Sequence, residues 1–313
     1  MNKDSKILIT GAAGMAGSAV VRKLSALGYR NVKGTDKREY NLLNSDKVKE
    51  LFDTGKFEYV FHIAAKVGGI NANNTKSGEF IYENLTIQNN VIENARIHNV
   101  KKLLFCGSAC IYPKNIPMPI REESLLSGKL EETNRGYAIA KIAGITLCQM
   151  YRKQYGCDFI SVMPTNLYGI GDNFNLIDSH VLPALMMKFH LAKENGDKFI
   201  KAWGTGNPRR EFLFVDDLAE ALIFLMDEYS GSDPVNIGTG EDVSIKELVK
   251  LISEIVRYKG DIIWDATYPD GVYERRLDVS KINNLGWKAH TPLYAGIAAT
   301  YQWLKDNFDN VRR

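Results

Sequence analysis

The sequence predicts an α/β fold in which a doubly wound parallel sheet is joined to a smaller C-terminal α/β lobe. Two observations favour this fold. Short apolar runs alternate with segments of helical periodicity through the first half of the chain, as in repeated strand–helix units. A glycine-rich loop follows the first apolar run and opens the first predicted helix, which places a tight turn at the edge of the sheet.

The N-terminal half supplies the units of a Rossmann-type sheet. The strand candidates are short, continuous apolar runs, and the longer segments carry apolar residues on one helical face. We predict strands at 7–9, 32–35, 59–63, 103–106 and 159–163, and helices at 16–27, 45–52, 80–99 and 137–155.

The C-terminal half is less regular but contains further helices. We predict helices over 181–195, 216–226 and 248–256, and a capping box from Ser244 to Glu247 precedes the last of them. The pattern predicts a dinucleotide-binding domain over residues 1–165, to which the chain returns near 212–238. Residues 166–211 and 239–313 are expected to form a substrate-binding lobe.

The composition is that of an ordinary globular protein and argues against several classes of function. The chain has 313 residues, of which 45% are apolar and 25% charged, and a formal net charge of +3. So mild a charge, without a basic run or a membrane-length apolar stretch, predicts neither nucleic-acid nor membrane binding. The four cysteines lack the spacing of a disulfide framework or a zinc site. We therefore expect free thiols, no metal and a cytoplasmic location.

The glycine loop predicts a dinucleotide site. Gly11, Gly14 and Gly17 follow a predicted strand with the spacing G-x-x-G-x-x-G. Small residues there allow the tight turn and the close backbone approach that a pyrophosphate needs at a helix N-terminus. The alternative is a tight turn that serves only close helix packing.

The end of the second predicted strand bears on the choice of nicotinamide cofactor. Asp36 stands where an acid would accept a hydrogen bond from a ribose 2′-hydroxyl and favour NAD. Lys37 and Arg38 follow directly and could instead hold the 2′-phosphate of NADP. The three residues are also compatible with a solvated turn, so the sequence leaves both cofactors open.

A tyrosine, a lysine and a serine indicate carbonyl chemistry. Tyr137 and Lys141 lie four residues apart and therefore share one face of a helix. The ammonium is expected to lower the pKa of the phenol, which would then give its proton more readily to a forming alkoxide. Ser108 follows a predicted strand at the edge where open α/β sheets bind ligands, and it can hold the same oxygen. The three residues predict hydride transfer to or from a carbonyl; the alternative is an amphipathic helix with a solvated lysine.

Five longer motifs extend over most of the chain. They are AAKVGGI at 64–70, GSACIYP at 107–113, YAIAKIAG at 137–144, MPTNLYG at 163–169 and REFL at 210–213. With these motifs the chain resembles the extended short-chain dehydrogenase/reductase superfamily. Within that superfamily it resembles the GDP-L-fucose synthase family, whose members are epimerase/reductases acting on GDP-4-keto-6-deoxy-D-mannose.

The resemblance implies a second chemistry, performed by Cys110 and His180. A ketone at C4 acidifies the protons on C3 and C5, and inversion needs one group to remove a proton and another to return it on the opposite face. A thiolate and an imidazole can both act near neutral pH. Without the resemblance, Cys110 would be interpreted as a core cysteine and His180 as an ordinary loop histidine.

The resemblance also implies binding residues. It implies NADP(H), while Asp36 and the Ala12–Ala13 pair, which replaces a basic loop residue of the family, leave NAD(H) open. The cofactor contacts that it implies are Gly11, Ala13, Gly14, Met15, Gly17, Asp36, Lys37, Ala64, Lys141, Pro164, Asn166, Leu167 and His180. The substrate contacts that it implies are Asn166, Lys188, Trp203, Arg210, Asp270 and Arg275. A homodimer through the helices that begin near Phe80 and Tyr137 is implied as well.

The predicted reaction is an NADPH-dependent C3/C5 epimerisation and C4 reduction that converts GDP-4-keto-6-deoxy-D-mannose to GDP-L-fucose. Its nearest rival is a C4 reductase with no or partial epimerisation, acting on a related GDP-4-keto sugar such as a heptose; Lys188 in place of a family arginine fits such a sister enzyme. A 4,6-dehydratase is disfavoured because Ala109 and Cys110 replace the acidic pair of those enzymes. A non-catalytic nucleotide-sensing protein is disfavoured because Tyr137 and Lys141 are both present.

Overall fold

The computed structural model describes residues 1–267, 270 and 272–312. Its strands are β1 (Ile7–Thr10), β2 (Val32–Gly34), β3 (Tyr59–His62), β4 (Lys102–Cys106), β5 (Phe159–Pro164), β6 (Asn166–Tyr168), β7 (Phe199–Trp203), β8 (Arg209–Arg210), β9 (Phe212–Phe214), β10 (Val235–Ile237), β11 (Val243–Ser244), β12 (Asp261–Asp265) and β13 (Glu274–Arg275). Its α-helices are α1 (Met15–Ala26), α2 (Ser45–Gly55), α3 (Ile70–Thr75), α4 (Ser77–Ile97), α5 (Arg135–Tyr155), α6 (Val181–Asn195), α7 (Val215–Glu228), α8 (Ile245–Val256), α9 (Ser280–Leu285) and α10 (Leu293–Asp306).

The central element is a six-stranded sheet with the order β10-β5-β4-β3-β1-β2. Every neighbouring pair in it is parallel. The predicted doubly wound parallel sheet is therefore confirmed. The sixth strand, β10, is contributed by the stretch near 212–238 where the sequence predicts a return of the chain, and it pairs with β5.

The strand order locates the binding edge. The chain moves outward from β1 to β2, then crosses back to β3 on the other side of β1. Ligands of open α/β sheets bind beyond the carboxyl ends of the strands at such a reversal. The glycine loop after β1 and the AAKVGGI loop after β3 therefore flank one crevice.

Helices cover both faces of the sheet and bury its strands. α1 and α7 pack on one face, where Val20 and Leu218 are fully buried. α2, α4 and α5 cover the other face, with Val91 and Ile145 fully buried. Every residue of β1, β4 and β5 is buried, which explains why these strands are predominantly apolar in the sequence.

A third apolar core lies outside the sheet. It gathers residues of α6, α8 and α10, and the short sheets β7–β12, β11–β8–β13 and β6–β9 accompany it. The predicted capping box is present at the start of α8. The Glu247 N–H donates to Ser244 Oγ (3.1 Å), and the Ser244 N–H donates to the Glu247 carboxylate (2.7 Å).

The predicted elements agree with the structure in kind, whereas α3, α9, α10 and the short strands of the C-terminal half were not predicted. The helix predicted over 181–195 matches α6 residue for residue. In contrast, α4 begins at Ser77 rather than at residue 80, and α5 begins at Arg135 rather than at residue 137. The first turns of both helices are polar, so they carry no apolar periodicity for the sequence to reveal.

Candidate active site

The glycine loop forms a close-packed turn at the start of α1. Gly11 adopts a φ of +75°, and a Cβ on it would lie 2.9 Å from Ala64 Cα. A Cβ on Gly17 would lie 2.1 Å from the Gly11 carbonyl oxygen, so the helix can approach the loop only without side chains. Met15 is the first helical residue, and its turn leaves N–H groups facing the crevice. This narrow cradle of backbone donors fits a dinucleotide pyrophosphate, while Ala13 is exposed at the tip of the turn.

A buried hydroxyl ties the loops after β1 and β3 together. Thr10 Oγ1 accepts the N–H groups of Ile63 (3.1 Å) and Ala64 (3.2 Å). Its own proton is therefore available for His62 Nδ1 at 2.8 Å, which leaves the imidazole proton on Nε2. Burial lowers the pKa of His62 to about 3, so the ring stays neutral. This link places Ala64 against the glycine loop, where the resemblance implies a cofactor contact.

The end of β2 carries an ion pair. The Arg38 backbone N–H and guanidinium donate to the Asp36 carboxylate at 2.7 to 3.0 Å, and these bonds lower the pKa of Asp36 to about 2. Lys37 is exposed and makes no hydrogen bond or ion pair with the described residues. A Cβ on Gly34 would lie 2.5 Å from the Ala12 side chain, so this strand end packs directly against the glycine loop.

The fifth strand ends at the same edge and contributes the far wall of the crevice. Pro164 is the last residue of β5, and Asn166 opens β6 two residues later. Asn166 Nδ2 donates to the Glu211 carbonyl at 2.9 Å, which fixes its side chain at the junction with β8 and β9. Leu167 is partly buried against the core of the α1–α7 face.

The reductive residues converge after β4. Lys141, buried on α5, donates to the Cys106 carbonyl at 2.7 Å and lies 4.8 Å from the centre of the Phe105 ring. Burial lowers its pKa to about 8. Tyr137, one turn earlier, has a raised pKa because burial disfavours the phenolate, and its interaction with the Ser108 side chain only partly opposes this. The expected lowering of the phenol pKa is therefore wrong for this structure, in which Lys141 is directed to a sheet carbonyl.

Cys110 stands in the turn that follows Ser108. The turn is a 3₁₀ helix over Ala109–Ile111, and the Cys110 N–H donates to Ser108 Oγ at 3.2 Å. Cys110 is exposed rather than buried in the core, and its thiol is close enough to affect the pKa of Tyr137, Arg210 and Arg275. The thiol, the phenol and two guanidinium groups therefore share one region.

His180 is the residue immediately before α6, at the end of the stretch 169–180. Surrounding protein atoms disfavour its charged form and lower the pKa of the imidazole, although the residue keeps contact with solvent. The AAKVGGI loop supports this stretch from one side. The Gly69 N–H donates to the Asp178 carbonyl at 2.9 Å, and a Cβ on Gly69 would lie 3.0 Å from the Asp178 and Ser179 carbonyl oxygens.

Arg210, Arg275 and Asp270 form a cluster of charged side chains that we call the rim. Arg210 in β8 is the register partner of Arg275 in β13, so the two side chains leave the same face of that small sheet. Arg275 also donates to the Tyr112 carbonyl at 3.4 Å, two residues from Cys110. Asp270 accepts the N–H and hydroxyl of Thr205 at 2.9 and 2.6 Å and interacts electrostatically with Arg210.

Lys188 and Trp203 form a second group on the lobe. Lys188 Nζ lies 5.2 Å from the centre of the Trp203 ring and donates to the Lys201 carbonyl at 2.8 Å. Partial burial lowers the pKa of Lys188. Trp203 is half exposed at the end of β7, with the Lys188 ammonium over its ring.

Sequence reasoning missed three residues that hold these groups in place. Asn134 Nδ2 donates to the Cys110 carbonyl at 3.4 Å, and Gly69 supports the His180 stretch. The buried Glu211 carboxylate accepts N–H groups of residues 239, 240 and 277 at 2.7 to 2.8 Å. Gly69 and Glu211 lie within the AAKVGGI and REFL motifs, which was the available signal for them, whereas Asn134 lies outside the five motifs.

Two further features of the described residues bear on other functions. No cluster of three or more histidine, cysteine or acidic side chains in the described part of the chain could hold a metal ion. Among the helices of the same residues, none has the length and apolar character needed to cross a membrane.

Comparison with known proteins agrees with this architecture. Residues 7–238 match the NAD dependent epimerase/dehydratase family. The chain is 52% identical to GDP-L-fucose synthase 1 of Arabidopsis thaliana over 309 residues, which cover 99% of this chain and 96% of that protein.

Two solved structures are similar to this chain over nearly its whole length. The NADP-bound GDP-L-fucose synthetase from Naegleria fowleri has a TM-score of 0.94 at 32% identity, and the match covers 100% of this chain and 96% of that one. A GDP-6-OMe-4-keto-L-xylo-heptose reductase from C. jejuni has a TM-score of 0.92 at 40% identity, with 98% and 99% coverage. The chain therefore belongs to the NAD dependent epimerase/dehydratase family, in the branch that contains the GDP-L-fucose synthases.

Proposed function

We propose that this protein is an NADPH-dependent epimerase/reductase that converts GDP-4-keto-6-deoxy-D-mannose to GDP-L-fucose, inverting C3 and C5 before it reduces C4. One observation carries the proposal. Ser108 and Cys110 occupy one turn, Tyr137 interacts with both, and the turn follows β4 at the carboxyl edge of the sheet, the edge that also carries the glycine loop. Groups for ketone reduction and for carbon-proton exchange are thus adjacent.

The reductive step uses Ser108, Tyr137 and Lys141. A bound reduced nicotinamide would supply the hydride to C4. The Ser108 hydroxyl holds the ketone oxygen, and Tyr137 gives its phenolic proton to that oxygen as negative charge develops there. Lys141 stabilises the phenolate that remains. Because burial raises the pKa of Tyr137, the proton is present on the phenol before the reaction begins.

The epimerisation uses Cys110 and His180 from opposite sides of the sugar. One group removes the proton on C3 or C5, the C–H electrons move toward the C4 oxygen as an enolate, and the other group returns a proton to the opposite face. Ser108 and Tyr137 stabilise that enolate oxygen. Exposure of Cys110 supports direct contact with the sugar, and the lowered pKa of His180 favours the neutral imidazole.

The lobe formed by residues 166–211 and 239–313 holds the GDP portion in this proposal. Arg210 and Arg275 carry the fixed positive charge of the rim and suit a diphosphate because a guanidinium presents several donors in one plane. Trp203 offers a flat apolar wall, with Lys188 beside it. Asn166 lies at the junction between this lobe and the sheet, where the sugar would lie.

NADPH is the proposed cofactor because the Asp36 carboxylate is already engaged. Arg38 donates three hydrogen bonds to it, which leaves little acceptor capacity for a ribose 2′-hydroxyl. Asp36 and Arg38 cancel in charge, so Lys37 gives the turn a net positive charge that favours a 2′-phosphate. Titration of the enzyme with 2′,5′-ADP and with 5′-AMP should show tighter binding of the former, and Lys37→Ala should reduce the difference. Equal affinities in the unmodified protein would favour NAD.

A C4 reductase of a GDP-4-keto-heptose is the second candidate. The 40% identity with the heptose reductase over almost all of both chains favours it. The 52% identity with a GDP-L-fucose synthase favours the first candidate, as does the joint presence of Cys110 and His180.

Turnover in heavy water separates the two candidates. The enzyme is supplied with NADPH or NADH and with the 6-deoxyhexose or the heptose substrate. We expect NADPH consumption with GDP-4-keto-6-deoxy-D-mannose and carbon-bound deuterium at C3 and C5 of the product. NADPH consumption without deuterium at either carbon would favour a C4 reductase that does not epimerise its substrate. No consumption with any pair would contradict both candidates.

A cytoplasmic homodimer completes the proposal. The four free cysteines are compatible with a reducing compartment. Tyr82 on α4 and Ile139 on α5 are 68% and 41% exposed, which supports pairing of two copies through these helices. Sedimentation should give a dimer, and Tyr82→Lys should shift it toward monomer; a monomeric unmodified protein would contradict this part.

A further inference from the structure

The stretch that carries His180 has little regular structure of its own. Residues 169–180 connect β6 to α6, and here we call residues 171–180 the His180 loop. Within this loop, Asn175 Oδ1 accepts the N–H groups of Ile177 (2.9 Å) and Asp178 (2.8 Å). These bonds shape the second half of the loop, but they do not attach it to the rest of the protein. Its position must therefore come from contacts with other segments.

The end of the loop near His180 is attached to the AAKVGGI loop. The Gly69 N–H donates to the Asp178 carbonyl, as described above. The side chains add a weaker contact, in which Asn71 Nδ2 donates to Asp178 Oδ1 at 3.3 Å. This attachment alone would leave the first half of the loop without support.

The beginning of the loop is attached to residues 311–312, which we call the C-terminal strap. The Phe174 N–H donates to the Arg312 carbonyl at 2.9 Å, and Asn173 and Arg312 form a parallel bridge. The Arg312 guanidinium also donates to the Gly171 carbonyl at 2.6 Å. The strap therefore binds the loop at Gly171, Asn173 and Phe174 through main-chain groups and one charged donor.

The strap is itself anchored in the third apolar core. Val311 is 9% exposed and belongs to that core, as does the fully buried Phe174. The Phe174 ring stacks on Trp303 of α10 at a centroid distance of 6.2 Å. The main-chain bonds between strap and loop thus lie next to two apolar side chains that fix both partners to the same core.

We propose that residues 311–312 act as a positioning strap for His180, so that proton transfer to the sugar carbons depends on a contact far along the chain from the catalytic residues. The inference depends on the proposed function, since it assigns to His180 a proton-transfer role. It predicts that release of the strap impairs epimerisation more than reduction. Tyr137, Lys141 and Ser108 are held by β4 and α5, and within the described part of the chain they form no hydrogen bond with the strap or the His180 loop.

The test compares two rates in Arg312→Ala and in a chain that ends at residue 310. Proton exchange is followed as deuterium incorporation at C3 and C5 in heavy water without NADPH. Reduction is followed as NADPH oxidation on substrate first equilibrated with unmodified enzyme and then separated from it. We expect exchange to fall about tenfold or more in both variants, because small misplacement of a catalytic group has effects of that order. Reduction should change less than about twofold by the same argument.

The controls separate a positioning role from a general loss of structure. Arg312→Lys keeps a charged donor for the Gly171 carbonyl and should restore most of the exchange rate. Gln302→Ala on α10 removes only an exposed bond to Asp306 and should leave both rates unchanged. Because a Cβ on Gly171 would lie 3.8 Å from Met15 Cα, NADPH affinity is measured in each variant as well.

The outcomes are distinguishable. Equal loss of exchange and reduction, or exchange that persists in the chain ending at residue 310, would contradict the proposal that residues 311–312 position His180. Absence of deuterium exchange in the unmodified enzyme would instead contradict the proposed function.

Discussion

The reductive centre and the epimerising pair are held by different kinds of structure. Tyr137 and Lys141 lie on the 21-residue helix α5, and Lys141 is bonded to a carbonyl of the central sheet. Cys110 lies in a three-residue turn, and His180 ends a long connection. The first centre is fixed by the core of the sheet, whereas the second depends on a few contacts between loops. The comparison indicates that stereochemical inversion can be lost while reduction persists.

The largest effect is expected from a substitution that disables the reductive centre. Tyr137→Phe removes the proton donor and should lower the rate of NADPH oxidation by about 10²–10⁴-fold, the usual contribution of a general acid. Deuterium exchange at C3 and C5 should be reduced far less, since Ser108 still contacts the oxygen. Stopped-flow absorbance and product NMR measure the two rates. Equal loss of both would show that the centres are not separable.

The converse substitution disables the epimerising pair, Cys110 and His180. Cys110→Ser keeps the size of the side chain but replaces a thiol with a hydroxyl that ionises much less readily. We expect deuterium incorporation to fall by about 10²–10³-fold, while pre-equilibrated substrate is still reduced. The product of un-epimerised substrate should then retain the original C3 and C5 configuration. Full exchange by this variant would contradict the role given to Cys110.

A smaller effect is expected at the support of His180. A Cβ on Gly69 would lie 3.0 Å from the Asp178 and Ser179 carbonyl oxygens. Gly69→Ala should therefore displace His180, the residue after Ser179. We expect about a tenfold loss of exchange with little change in reduction. Gly78→Ala on α4 is the matched control, because its Cβ would meet no atom within 4 Å. If the two variants behave alike, Gly69 does not position His180.

The smallest effect concerns pH. The pKa of Lys141 is lowered to about 8 by burial, so its ammonium is present below that pH and is lost above it. Tyr137 keeps its proton over this range because its pKa is raised. The reduction rate should therefore fall as pH rises through about 8, reaching about half its maximum at the pKa. Lys141→Arg should remove this decline, since a guanidinium stays charged; an unchanged profile would contradict the assignment.

The sequence predicts the reductive centre better than the contacts that support the other one. Tyr137 and Lys141 are four residues apart, and Ser108 follows a recognisable strand by two residues, so local periodicity is sufficient to bring them to one edge. The contacts of Gly69 with Asp178 and of Phe174 with Arg312 join segments more than 100 residues apart. The periodicity of apolar residues in the sequence does not reveal such pairs, because each contact depends on the whole fold.

The pKa of Tyr137 was mispredicted for a related reason. The sequence shows that Lys141 is near, but not that its ammonium donates a hydrogen bond to a sheet carbonyl or that the surrounding protein desolvates the phenol. Desolvation then outweighs the neighbouring charge. Helix starts were missed by two or three residues because polar first turns resemble loops.

The alternation of side chains at residues 210 and 211 has a consequence for attempts to retarget the enzyme. Arg210 faces the rim, whereas the adjacent Glu211 points into the protein and accepts three backbone N–H groups from distant segments. Randomising both codons in a library aimed at new sugars would mostly yield misassembled protein, because a neutral or shorter residue at 211 leaves those donors without partners. A library that varies 210 and keeps glutamate at 211 should give many more folded variants to screen.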